Sequence, residues 1–194
     1  SWTDLRRMNT LLEYADMCED KEAVTKYTAV TRFFRAFFYF EKVKRFGDVP
    51  WYDIQLGSAD ELLYKPRDSR ELILTKMLED IDYAINSGGL TESAADPYHV
   101  NKWAALALKA QFCLYEGTYR KYHNLNLDGH DANFYLDLAA KAALEIIEKG
   151  PYKLYQTGHP EKDYLTLFAQ KDASPEEYIL AIKFDYAIGA RHNA

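Results

Sequence analysis

Hydrophobic side chains recur every three to four positions along most of the chain, which is the spacing of one face of an α-helix. This pattern predicts a first helix over residues 3–18, with Thr3 as its N-cap, and a second, aromatic-rich helix over residues 22–46. Gly47 occupies the position where a helix commonly ends in left-handed backbone, and Pro50 cannot continue a helix. We therefore expect the second helix to end at Gly47.

Three further helices are each bounded by a capping residue and a glycine. They run from the capping-box spacing Asp68-Ser69-Arg70-Glu71 to Gly88-Gly89, from Asn101 to Gly117, and from near Asn133 to Gly150-Pro151. A short helix is predicted around residues 163–169. The apolar run 178–184 has the length of a strand, so we expect an edge strand or a short strand there.

No strand pair is indicated before residue 150, so the predicted fold class is mainly α. Paired antiparallel helices with small residues at their contacts are typical of tetratricopeptide-like hairpins. The residues that fit this repeat are Trp103, Leu106 and Ala107 in its first helix and Ala139, Ala143, Ile146 and Pro151 in its second. The fit requires an inserted loop over residues 118–133. We expect one helical-repeat domain over residues 1–194.

Composition narrows the function classes. The chain has 194 residues, with 24 Lys and Arg against 30 Asp and Glu, which gives a net charge of −6. A pI near 5.4 argues against a general nucleic-acid-binding protein, because phosphate binding requires a basic surface. The apolar runs are shorter than the roughly 20 residues that a membrane-spanning helix needs. The 16 Tyr, 10 Phe and 3 Trp suit either a thick helical core or a surface that faces carbohydrate.

Candidate metal and catalytic residues are few. Cys18 and Cys113 lack metal-ligand spacing, and we expect two buried free thiols. The five histidines form no pair four residues apart on a helix. Residues 124–129 imitate the start of a calcium loop, but Tyr135 stands where that loop needs a bidentate Glu. No nucleophile elbow, phosphate loop or dinucleotide fingerprint occurs, so the sequence predicts no metal, no cofactor and no enzyme activity.

One stretch resembles a known family. Residues 31–50 read TRFFRAFFYFEKVKRFGDVP, which is similar to the signature helix of the SusD/RagB family of outer-membrane nutrient-binding lipoproteins, R-F-L-R-A-x-x-Y-F followed by a G-D-V-P turn. Further matches follow in the family's order at residues 66–71, 78–84, 102–110, 114–117 and 147–155. The resemblance extends from about Thr31 to Phe184, which is most of the chain.

The resemblance implies a role in polysaccharide utilization. Members of that family are lipid-anchored on the cell surface, cover a SusC-like TonB-dependent transporter as a lid, and capture oligosaccharides or peptides for nutrient uptake. Their helical-repeat half docks on the transporter. A whole member is considerably longer than this chain and carries a lipid-bearing N-terminal cysteine, which Cys18 does not match. The resemblance therefore implies the N-terminal to central portion of such a protein, at the outer membrane.

Candidate ligand contacts are aromatic residues outside the predicted helices, because apolar sugar faces stack on rings with a polar edge. They are Trp51, Tyr52 and Tyr64 after the second helix, and Tyr119, Tyr122 and His123 in the inserted loop. Aromatic residues on loops also commonly close the edge of a core, so that alternative stays open. Within the second helix, the phenylalanines at 33, 34, 37, 38 and 40 are expected in the core, and the basic residues Arg32, Arg35, Lys42, Lys44 and Arg45 on a solvated face.

Three functions remain open on this evidence. The first is a noncatalytic, surface-exposed nutrient-binding protein that works with a transporter to import glycan. The second is a generic tetratricopeptide-like scaffold that binds a protein segment and no nutrient. The third, a polysaccharide-cleaving enzyme, would need two carboxylates at a set separation, which the sequence cannot place.

Overall fold

The structure is a computed structural model that describes residues 1–127, 129–185, 187 and 189. The described residues form six α-helices, and the prediction of a mainly α fold is confirmed. The helices are α1 (Trp2–Tyr14), α2 (Lys21–Phe46), α3 (Arg70–Asn86), α4 (Lys102–His123), α5 (Ala132–Lys149) and α6 (Pro160–Phe168). None of the described helices is both long and apolar enough to cross a membrane.

The helices pack largely in chain order. α2 lies along α3 and α4 lies along α5, while α1 packs on α2, and α3 contacts α4 and so joins the two pairs. The core between them consists of buried aliphatic and aromatic side chains, which include Phe33, Tyr39, Met77, Ile81 and Phe112. This arrangement holds the connection between α2 and α3 against α1.

The second helix matches its prediction more closely than the first. α2 begins after Asp20, whose carboxylate accepts the amide of Ala23, and it ends at Gly47 with a φ of 67°. α1 is capped by the Ser1 hydroxyl instead of Thr3. It ends at Tyr14 and is followed by a 3-10 turn over Ala15–Met17, so the prediction of a helix over residues 3–18 was too long.

The start of α3 differs from the predicted capping box. Ser69 is the N-cap, since its hydroxyl accepts the amide of Leu72. Asp68 instead accepts hydrogen bonds from the Trp51 amide at 2.7 Å and from Lys65 Nζ at 2.6 Å. Burial favours a higher pKa for Asp68, but these two hydrogen bonds outweigh it and hold the pKa below its ordinary value. The Asp68 side chain thus holds the chain that follows α2.

α4 continues through Gly117 to His123, so the prediction that Gly117 ends it was wrong. Gly117 instead allows close packing of α4 on α5: a Cβ there would lie 2.7 Å from Leu136 Cγ and 3.0 Å from its backbone nitrogen. The helix ends at Asn124, whose backbone is left-handed with a φ of 51°. The first residues of the predicted inserted loop 118–133 are therefore helical, and its end lies in α5.

Residues 178–184 do not form the predicted strand. In the described part of the chain no neighbouring strand lies beside them, and the backbone bonds elsewhere, with the Ala181 amide donating to the Pro97 carbonyl at 2.8 Å. The apolar character of the run is explained by packing, because Ile179 contacts the buried cluster of Trp103, Leu106 and Ala142.

The aromatic residues of α2 divide between core and surface. Phe33 and Phe40 are buried and Phe38 is half-buried, as predicted, but Phe34 and Phe37 are 43% and 44% exposed. Phe34 and Phe37 are one turn apart and line a cavity between α1 and α2, so α1 does not cover this face of α2 completely. The prediction that all five residues lie in the core was wrong for these two.

A buried ionic cluster links α3 and α4. Glu116 accepts hydrogen bonds from Arg70 Nε at 2.8 Å and from Arg120 Nε at 2.8 Å. Arg120 also bonds to Glu71, which contacts His130 Nδ1 at 2.7 Å in the connection to α5. Buried charges require such partners, because an unpaired one is strongly destabilising. The cluster therefore fixes α3 against the α4–α5 pair.

We expect Gly117→Ala to destabilise the protein. The added methyl group would overlap Leu136, which costs about 1–3 kcal/mol and outweighs the roughly 1 kcal/mol that alanine gains in an ordinary helix. Urea unfolding measures the difference. Gly57→Ala is the control, since nothing lies within 4 Å of a Cβ there. A Gly117→Ala protein more stable than the parent would show that α4 and α5 are not this close.

The two thiols should differ in reactivity. Cys18 is exposed, whereas Cys113 is buried and burial raises the pKa of its thiol to about 12. The prediction of two buried thiols was thus wrong for Cys18. We expect a disulfide reagent to modify one thiol per native chain and two in denaturant, with no native reaction in Cys18→Ser. Rapid modification of two thiols in the native protein would contradict the packing of α4.

Candidate functional site

Residues 50–54, which follow α2, lie outside regular secondary structure and are held by two buried side chains. Asn9 Nδ2 donates to the carbonyls of Tyr52 at 2.9 Å and Ile54 at 3.1 Å. The Tyr39 hydroxyl accepts the Tyr52 amide at 2.7 Å and donates to the Pro50 carbonyl at 3.3 Å. Burial raises the pKa of Tyr39, so this hydroxyl keeps its proton. Residues 50–54, here called the extended segment, are thereby fixed.

Arg35 fixes the side chain that holds the extended segment. Its Nε and Nη2 donate to the two oxygens of Asp80 at 2.6 and 2.8 Å, and its Nη1 donates to Asn9 Oδ1 at 3.1 Å. Arg35 and Asp80 are 6% and 2% exposed. The prediction of a solvated basic face on α2 was therefore wrong for Arg35, because charge alone does not show whether a partner on another helix lies opposite it.

Side chains of the extended segment line two different cavities. Pro50, Tyr52 and Ile54 line a groove of about 520 Å³ against α1, here called the α1 groove. Trp51 and Asp53 line a second cavity of about 440 Å³ beside α2 and α3. Ile54 lines both.

The α1 groove combines exposed rings with scattered polar groups. Trp2 is 43% exposed and meets the Tyr52 ring edge-to-face, with the ring centres 5.9 Å apart. The Tyr52 hydroxyl donates to the Leu62 carbonyl at 2.9 Å, which fixes the ring. The remaining lining residues are Thr3, Leu5, Arg6, Pro50, Ile54, Leu56, Gly57, Ser58 and Leu63. Such a surface suits a ligand with both an apolar face and hydroxyl groups.

The predicted contacts near α2 fall in different places. Tyr52 lines the α1 groove, whereas Trp51 is buried and its ring stacks on Tyr39 at 4.2 Å. Tyr64 is 86% exposed and comes directly after the lining residue Leu63. Trp2 was not predicted as a contact, because the candidates were taken from the loops after the second helix and from the inserted loop, whereas Trp2 directly precedes the predicted first helix. Its place at the start of an amphipathic helix was the signal that could have found it.

The other three predicted contacts lie on the last turns of α4 instead of a loop. Tyr119 is half-buried, with the Arg70 guanidinium 3.9 Å from its ring centre and the His123 ring 4.3 Å away. Tyr122 is 83% exposed and His123 is exposed. None of the three lines the α1 groove. The structure therefore does not bring the six predicted residues together.

The described residues hold no group of three or more His, Cys, Asp or Glu side chains that could bind a metal ion. The α1 groove is lined by no carboxylate among those residues. The groove presents hydroxyl and guanidinium groups beside two aromatic rings.

Comparison with known proteins identifies the family. The model of a SusD-like family, described as starch-binding and associating with the outer membrane, matches residues 1–102, which is more than half of the chain. The chain belongs to this SusD-like family, and the resemblance found in the sequence is confirmed. The match also includes α1 and hence Trp2, which precede the stretch where the resemblance was first seen. No curated protein matches the chain.

Solved structures agree with this assignment. A SusD-like protein from Bacteroides fragilis is 27% identical, with a TM-score of 0.71 over 93% of this chain and 31% of its own. A protein crystallised with xylogluco-oligosaccharide is 22% identical, with a TM-score of 0.70 over 95% of this chain and 34% of its own. Surface glycan-binding protein A from Bacteroides uniformis is 19% identical, with a TM-score of 0.58 over 84% of this chain and 36% of its own. The chain thus spans about a third of the length of these proteins.

We expect Arg35→Met to cost about 3–5 kcal/mol of unfolding free energy, because it leaves the buried Asp80 carboxylate without its hydrogen-bond partner. Urea unfolding measures this loss. Arg45→Met is the matched control on the same helix, where the side chain is exposed and a change within about 0.5 kcal/mol is expected. Equal stability of the two variants would contradict the role given to Arg35.

Proposed function

We propose that this chain is part of a noncatalytic glycan-binding protein at the outer-membrane surface, which passes oligosaccharides to a SusC-like TonB-dependent transporter. The observation that carries the proposal is the α1 groove, in which Trp2 and Tyr52 are presented by a SusD-like fold. The bound ligand is an oligosaccharide, whose sugar rings place their apolar faces on these aromatic side chains.

The similar structures support a carbohydrate ligand. One was crystallised with xylogluco-oligosaccharide, one is a laminarin-binding SusD-like protein, and one is a surface glycan-binding protein. These names describe ligands of those proteins. Because this chain shares their fold and belongs to the SusD-like family, carbohydrate is the ligand class that we propose for it.

The lining of the α1 groove supports binding without catalysis. Glycoside hydrolysis commonly needs two carboxylates on either side of the bond that is cleaved. Among the described residues that line the groove, the charged side chain is Arg6 and none is a carboxylate. Contacts through two partly exposed rings also favour modest affinity, with Kd between about 1 μM and 1 mM.

The transporter partner and the lipid anchor are proposed for the whole protein. Copurification separates this function from the alternative of a tetratricopeptide-like scaffold. The full-length protein should copurify with a TonB-dependent barrel from outer membranes. Recovery of only a soluble protein partner would favour the scaffold.

We expect Trp2→Ala to weaken retention of this chain in native gels that contain xyloglucan or laminarin. Loss of one aromatic contact worth about 1 kcal/mol corresponds to roughly fivefold weaker binding. Tyr122→Ala is the control, because Tyr122 is also aromatic and is more exposed than Trp2 but does not line the groove. If only Tyr122→Ala weakens retention, the glycan binds at the end of α4 and not in the α1 groove. If the parent chain releases reducing sugar from the glycan, the noncatalytic role is wrong.

A further inference from the structure

Two phenylalanines of α2 form an apolar surface that is only partly covered. Phe34 and Phe37 are 43% and 44% exposed, although their neighbours Phe33 and Phe40 are buried. An aromatic side chain removes about 150–250 Å² of surface from water when it is fully buried, so half-exposed rings lose a large part of that stabilisation. Phe34 and Phe37 are here called the aromatic face of α2.

Two cavities adjoin at the aromatic face, and Phe37 lines both. One cavity, of about 490 Å³, lies between α1 and α2, and its lining includes the aromatic face, Met8 and Phe38. The other, of about 410 Å³, lies between α2 and α4, where Ala107 and Leu108 line it. The aromatic face is therefore the centre of a concave apolar surface that extends from α1 to α4.

A non-helical part of the same chain lies at one end of this surface. Residues 177–180 line the cavity between α2 and α4. Ile179 packs against both buried clusters of the core, and the Ala181 amide donates to the Pro97 carbonyl at 2.8 Å. This side of the helices thus already faces irregular chain of the same protein.

The charges beside the aromatic face favour no charged partner. In the cavity between α1 and α2, the carboxylates of Asp4 and Glu41 are balanced by the side chains of Arg7 and Lys42. Binding to an anionic lipid surface or to a nucleic acid requires an excess of basic groups, which this lining lacks. The surface therefore suits an apolar partner.

A small polar ligand is not indicated at this surface either. Three buried polar side-chain atoms lack a hydrogen-bond partner in the part of the chain that the structure describes, and they belong to Arg32, Trp51 and Tyr135. None of these three residues lines either cavity. The aromatic face thus offers apolar contact area, which the side chains of a polypeptide can cover.

Similar structures contain much more polypeptide than this chain. The match to the SusD-like protein from Bacteroides fragilis covers 93% of this chain but 31% of that protein. About two thirds of such a protein therefore lies outside the matched part. Because longer chains bury a larger fraction of their surface on folding, further chain is expected to cover apolar surface that is exposed here.

We propose that polypeptide from the rest of a longer SusD-like protein covers the aromatic face of α2 and makes Phe34 and Phe37 part of its core. The covering segment contributes apolar side chains and continues along the surface where residues 177–180 lie. The prediction of five core phenylalanines in α2 then applies to the longer protein, although two of them are exposed in this chain. This inference is independent of the ligand proposed for the α1 groove.

The reactivity of an introduced thiol tests the proposal. In a Cys18→Ser background, which removes the exposed native thiol, Phe37→Cys places a thiol on the aromatic face. Lys141→Cys on α5 is the control, because the Lys141 side chain is 71% exposed and lines neither cavity. Modification by a maleimide is followed by mass spectrometry of the peptide that contains the introduced thiol.

We expect the thiols from Phe37→Cys and Lys141→Cys to react at similar rates in the 194-residue chain. In the full-length protein, the thiol from Phe37→Cys should react at least about 100-fold more slowly than the control, because a buried group reacts only when the structure opens locally. Phe34→Cys should give the same pattern, so the result does not depend on one variant.

Three outcomes would overturn the proposal. Rapid modification at both positions of the aromatic face in the purified full-length protein would show that its own polypeptide does not cover the face. Protection that appears only when a transporter or another protein is added would assign the face to a separate partner. Protection in the 194-residue chain that increases with protein concentration would assign the face to a second copy.

Discussion

The hydrogen-bonded pair of Arg35 and Asp80 is the interaction on which the candidate sites depend. Both charges are buried, and they stay so because each satisfies the other through two short hydrogen bonds. The pair joins α2 to α3, and through Asn9 it also holds α1 and the extended segment. Removing one partner would leave an uncompensated charge in the core, so the position of the segment is tied to the stability of the fold.

Two different surfaces flank this segment. Tyr52 lines the α1 groove, where its ring lies beside that of Trp2, whereas Trp51 and Asp53 line the second cavity, whose other lining residues are mostly charged. The segment thus separates an aromatic surface from a charged one.

Features that depend on local periodicity, such as the bounds of α2, could be predicted from the sequence. Features that depend on contacts between different helices could not. Helix spacing and glycine placement located α2 closely, and the resemblance of its aromatic stretch indicated the family. The same spacing could not show that Gly117 packs against Leu136, that Arg35 faces Asp80, or that Phe34 lacks a covering helix. Of the candidate site, Tyr52 was predicted as a ligand contact and lines the α1 groove, whereas Trp2 lines the groove only because α1 packs beside the extended segment.

Amide hydrogen exchange in Asp80→Asn tests most directly whether the buried pair positions the extended segment. The Tyr52 amide donates to Tyr39 in the parent protein and should be protected there. We predict that Asp80→Asn lowers protection of the Tyr52 amide by at least about tenfold, while amides in the middle of α5, which does not contact the pair, keep theirs. Unchanged exchange at Tyr52 in a folded Asp80→Asn protein would contradict the account.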